Sequence, residues 1–179
     1  MGAWAGPFAV ACLLLVLAGL AKARDPRTTV GALRAMGFRV PAPAVRVASG
    51  LEAALGVAAL VSGDPWVAAL VAFSYVAFSA FVVVALVRGL PIGSCGCFGK
   101  VDTPPSIVHL VVNGGAIAAA TAVALGDGGG LGRVLADQPA NGVPFLAFVL
   151  SATYLAYLSV TALAQLGSLR RVDPRASSS

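Results

Sequence analysis

The sequence predicts an all-α integral membrane bundle of about five transmembrane helices, with a short interfacial helix after the first. Three observations lead there. The 179 residues are 59% hydrophobic and 11% charged, with a mean hydropathy of +0.92. A soluble domain is closer to about half apolar and roughly one quarter charged. The apolar residues also gather into five runs, each near the length a helix needs to cross hydrocarbon. Finally, those runs are built from Ala, Val and Leu, small side chains that let helix backbones approach closely in lipid. A net charge of +5 is spread too thinly for a nucleic-acid surface, so no nucleic-acid partner is expected.

The first run covers residues 7–23. Ala21-Lys22-Ala23 imitates a small-x-small cleavage site. Residues 1–6 carry no basic side chain, which the leading segment of a signal peptide normally has, so a retained helix is expected. Cys12 within it reads as a packed, inert thiol. In residues 24–43, Val30, Leu33, Met36 and Val40 fall near helical spacing among Arg27, Arg34 and Arg39. That pattern suits an interfacial helix on anionic headgroups, with a solvated loop as the alternative. Pro41 and Pro43 end the segment.

The second run, residues 44–62, repeats Gly50, Ala54 and Ala58 every four positions, which predicts a smooth stripe for close packing. Trp66 and Arg88 bracket the third run, residues 66–87, and both suit the membrane interface. Ser106 is placed to cap a fourth run reaching about residue 125. After a glycine-rich loop, residues 143–166 form the fifth run, with Tyr154 and Tyr157 in its middle. Residues 1–166 are thus expected to form one transmembrane domain, and residues 167–179 a disordered basic tail.

Chemistry concentrates between the third and fourth runs, in Ser94-Cys95-Gly96-Cys97-Phe98-Gly99-Lys100. Two thiols this close can cycle between dithiol and disulfide, or hold a soft metal such as copper(I). Gly96, without a side chain, permits the small ring that a Cys95–Cys97 disulfide closes, and a strained disulfide is a labile, oxidising one. Lys100 and the start of the fourth helix both favour thiolate. Two residues are placed to carry the accompanying protons, Glu52 and His109. Glu52 is the acid inside the second run, where burying it charged costs roughly 2.5–3.5 kcal/mol on insertion scales. Its bland reading is a structural hydrogen bond to a neighbouring helix. His109 lies in the early turns of the fourth run, and Asn113 follows one turn later. By parity, Glu52, His109 and the thiols belong to the same half of the bundle.

Cys95-Gly-Cys-Phe-Gly99 resembles the signature of the MauE family, membrane proteins of methylamine utilisation related to DoxX-like proteins and distantly to vitamin K epoxide reductases. Leu20-Ala-Lys22-Ala-Arg24-Asp25-Pro26, Glu52 and Asn113 extend the similarity. The resemblance implies a multi-pass protein of the cell membrane. Its implied role is processing, transport or maturation of the disulfide-rich small subunit of methylamine dehydrogenase, with a thioredoxin-like partner and an exported cysteine-rich client. The wider group implies a quinone as the final electron partner. The chain departs from vitamin K epoxide reductases in having Cys-x-Cys rather than Cys-x-x-Cys, and in lacking a cysteine pair in residues 24–43.

The expected activity is therefore thiol-disulfide redox through Cys95 and Cys97. Glu52 and His109 would move protons, and Gly96, Phe98, Gly99, Lys100 and Asn113 would support the site. The alternatives are a copper-binding membrane protein using the same cysteines, or a non-catalytic scaffold subunit. One expectation conflicts with the maturation role. Lys22, Arg24, Arg27, Arg34, Arg39 and Arg46 face Asp25 alone across residues 22–46. Positive-inside counting then places this side, cysteines included, in the cytoplasm.

Overall fold

The computed structural model describes residues 3–89, 105–126, 130–137 and 139–163. Within them lie α1 (Ala5–Arg24), α2 (Arg27–Ala35), α3 (Ala42–Ser62), α4 (Pro65–Val87), α5 (Ile107–Ala124), α6 (Leu131–Ala136) and α7 (Val143–Leu158). A 3₁₀ turn, Pro139–Gly142, leads into α7, and a π turn, Ser159–Leu163, extends it. Five helices are long and apolar enough to span a membrane: α1, α3, α4, α5 and the segment Val143–Ala162. The chain is a multi-pass membrane protein, and α2 is the short helix expected after the first span. Observed boundaries lie within about two residues of the sequence reading. Residues 164–179, which take in the expected end of the fifth run and the tail, lie outside the described residues.

Local chemistry explains several ends. Asp64 caps α4 by accepting from the backbone N–H groups of Trp66 and Val67 at 2.9 and 3.2 Å, with Pro65 pre-set for the first helical turn. Gly63 ends α3 in the left-handed conformation, φ 60°, which a side chain would resist. Ser106 does occupy the position before α5, but its hydroxyl makes no capping bond to backbone. It meets His109 instead.

The first helix is the centre of the bundle. It packs most extensively on α3, and also touches α5 and α7, while α4 and α5 form the other close pair. Over half of α1 is buried, far more than any other span. Cys12 is fully buried there at 0% exposure, as expected of an inert thiol.

The α1–α3 seam corrects one expectation. Gly50 has open space around it, and Ala54 and Ala58 are exposed. The packing face is Ser49, Ala53, Gly56 and Ala59. A Cβ on Gly19 would stand 2.6 Å from the Ser49 carbonyl oxygen, and one on Gly56 would stand 2.8 Å from that of Cys12. Small residues do mediate the contact, but on an adjacent stripe of the helix.

The bundle is chemically polarised from end to end. Phe8, Ala11, Cys12 and Leu15 of α1 pack with Ala59, Ala68, Val71, Tyr75, Ala116, Ala119, Ala120 and Val123. These run from the middle of the bundle, at Leu15, Tyr75 and Ala116, toward the end where α1 starts. At the opposite end the interior becomes polar.

Candidate functional site

Polar side chains from α1, α3 and α5 converge where α1 ends and α5 begins. Lys22, two residues before the end of α1, is buried at 6% exposure. Its ammonium forms an ion pair with Glu52 of α3 and sits 4.6 Å from the centre of the Phe78 ring on α4. A charge buried in a bundle is held by opposite charge and by ring faces, and here both come from different helices. Because α3 begins at Ala42, Glu52 lies ten residues along it, about 15 Å at 1.5 Å per residue. The paired lysine explains how a carboxylate is accommodated at that depth.

His109 is 3% exposed. Its Nδ1 lies 2.9 Å from the Ser106 hydroxyl. Its Nε2 is buried without a hydrogen-bond partner among the described residues. Beside it is a cavity of about 40 Å³ lined by Lys22, Tyr75, Phe78, His109 and Asn113, with apolar residues of α1 and Val160 closing it. The cavity is largely apolar, with Lys22, His109 and Asn113 as polar residues on its wall, and its size leaves room for buried water beside them. Tyr75 is fixed by donating its hydroxyl hydrogen to the Ala11 carbonyl at 2.7 Å.

Lys22 and Phe78 also line a second, larger crevice of about 270 Å³ between α2, α3 and α4, which contains Glu52. They therefore stand between the Glu52 crevice and the His109 cavity. The structure brings Glu52, His109 and Asn113 into one region. Cys95, Gly96, Cys97, Phe98, Gly99 and Lys100 lie outside the described residues, in the segment joining α4 to α5. Described chain resumes at Pro105, four residues before His109. Among the described residues, no group of three His, Cys, Asp or Glu side chains is placed to hold a metal ion.

Lys22 is the member of this cluster that sequence reasoning passed over. It entered as part of Ala21-Lys22-Ala23 and of Leu20–Pro26, and as one of the basic residues of 22–46. The available signal was a lysine and an acid each inside an apolar run, since such residues in lipid tend to pair.

A family model described as methylamine utilisation protein MauE matches residues 2–126. The chain belongs to the MauE family. The match runs from α1 through α5 and takes in Lys22, Glu52, the cysteine segment, His109 and Asn113. MauE membership implies a role in methylamine utilisation. Comparison with curated proteins and with solved structures gave no match.

Proposed function

We propose that this MauE-family chain is a thiol-disulfide redox protein of the cell membrane, using Cys95 and Cys97 in maturation of an exported, cysteine-rich client. In the family's context that client is the small subunit of methylamine dehydrogenase. The observation that carries the reading is the cluster of Lys22, Glu52, His109 and Asn113. It lies at the end of the bundle from which the cysteine segment leaves α4 and enters α5.

The exchange conserves electrons and protons. A client dithiol loses two electrons and two protons as its disulfide forms, and the Cys95–Cys97 disulfide is reduced to two thiols. A thioredoxin-like partner, itself reduced in turn, restores the disulfide. Quinone enters this reading as a diffusing final acceptor.

Protons must reach or leave sulfur within a largely apolar bundle. His109 has one ring nitrogen on the Ser106 hydroxyl and the other buried without a partner among the described residues, in a ring that lines the small cavity, so a change of tautomer can move a proton from one nitrogen's side to the other's. Water in that cavity extends the connection towards Lys22, beyond which Glu52 opens onto the larger crevice. Asn113, on the cavity wall, orients that water.

The test is trapping. In a Cys97→Ser variant, the Cys95 thiolate can attack a partner's disulfide and form a mixed disulfide that Cys97 can no longer resolve, so the adduct lasts longer. A reducible adduct with a client or thioredoxin-like protein, absent from the Cys95→Ser/Cys97→Ser variant, is the expected result. Full methylamine-dependent growth of that double variant would refute the reading. Labelling of the pair in intact cells by a membrane-impermeant maleimide, only after mild reduction, is expected of an outward-facing disulfide. Labelling only after lysis would uphold the charge rule and remove the direct maturation role.

A further inference from the structure

Two concave surfaces border α2 and have Val40 in common, one flanked by arginines and the other mainly apolar. A cup of about 730 Å³ lies against α2 and the turn after it, lined by Val30, Arg34, Gly37, Phe38, Arg39 and Val40 among others. The 270 Å³ crevice between α2, α3 and α4 is walled mainly by Leu33, Val40, Val45, Ala48, Phe78 and Phe81. Val40 lines both, so the two share a wall at the turn after α2. Arg34 and Arg39 are exposed and have no ion-pair partner among the described residues. Phe38 between them is 60% exposed, a large apolar side chain at membrane-interface level.

We propose that cup and crevice together form a binding site for one anionic phospholipid. The phosphate lies against Arg34 and Arg39, and one acyl chain enters the crevice beneath α2. Charge complementarity selects this occupant. Guanidinium forks match phosphate oxygens geometrically, and cations beside a span concentrate anionic lipid. The cup lining contains no acid, and the one acid in the crevice, Glu52, is neutralised by Lys22. An acidic soluble peptide would satisfy the arginines but would leave the apolar crevice unfilled. An uncharged lipid would do the reverse. Of these three occupants, the phospholipid alone answers both halves.

Native mass spectrometry of the full chain in neutral detergent tests this, with phosphatidylglycerol and phosphatidylcholine of identical chains as probes. One phosphatidylglycerol should be retained, and Arg34→Gln/Arg39→Gln should weaken it about tenfold while weakening phosphatidylcholine, whose choline cation offsets the same phosphate, by much less. Ala48→Phe fills the crevice without altering charge and should weaken both lipids, its folding checked by thermal melting. Glycerol 3-phosphate should not compete. Equal retention of the two lipids, an arginine variant that binds as before, or competition by glycerol 3-phosphate would each overturn the proposal. The measurement is repeated in the Cys95→Ser/Cys97→Ser background, so its outcome is independent of the thiol chemistry.

Discussion

Replacing Glu52 by Leu while keeping Lys22 is the most informative perturbation of the polar cluster. It leaves an ammonium with a side chain only 7% exposed facing an apolar replacement. Removing one member of a buried pair typically costs about 3–5 kcal/mol, because the partner charge stays desolvated. Two features lower that figure here. Glu52 itself is 23% exposed, so the pair is not wholly cut off from its surroundings. Phe78 still offers its ring face to Lys22, worth about 0.5–2 kcal/mol. A net loss of about 2–4 kcal/mol is expected. The converse change, Lys22→Met, should cost less, since the more exposed carboxylate is the group left behind. Lys22→Met/Glu52→Leu should recover most of the loss, because a buried pair replaced by apolar side chains is often neutral. Equilibrium unfolding in mixed micelles, followed by circular dichroism, gives all four corners of the cycle. A coupling energy near zero would refute the pair as a structural unit, and with it the placement of Glu52 deep in the bundle.

Further outcomes follow from the packing. Gly56→Val should destabilise the α1–α3 seam by about 1–3 kcal/mol through overpacking, since a Cβ there meets the Cys12 carbonyl. Gly50→Ala, in open space, should be neutral or stabilising by up to about 1 kcal/mol in the same unfolding experiment. Tyr75→Phe deletes the 2.7 Å bond to the Ala11 carbonyl and should cost about 0.5–1.5 kcal/mol. Cys12, fully buried, should resist maleimide in the folded protein and react on denaturation. Asp64→Ala removes the cap of α4 and should lower stability by about 1 kcal/mol, read as a lower melting temperature.

The sequence by itself determined the solvent and therefore the class of fold. Runs of Ala, Val and Leu of spanning length have no stable alternative to helix in lipid, where each backbone group must bond within its own segment. The interruption at Gly63-Asp64-Pro65 sets helix limits for the local reasons seen in the structure, whereas Ser106 marks the start of α5 without capping it. Glu52, His109 and Asn113 were legible as polar residues in apolar surroundings, and Cys95 and Cys97 as a spacing with chemistry of its own. What the sequence left open was the rotation of each helix about its axis. Neighbouring positions differ by about 100° around a helix, so the stripe of Gly50, Ala54 and Ala58 and the true seam of Ser49, Ala53 and Gly56 look equally plausible on paper. In a soluble helix a polar face would decide between them; here lipid and core are both apolar and the pattern carries no such mark. Only tertiary packing fixed that rotation. In doing so it turned Glu52 towards Lys22, thirty residues earlier in the chain, and set Lys22 between the lipid-side crevice and the cavity of His109.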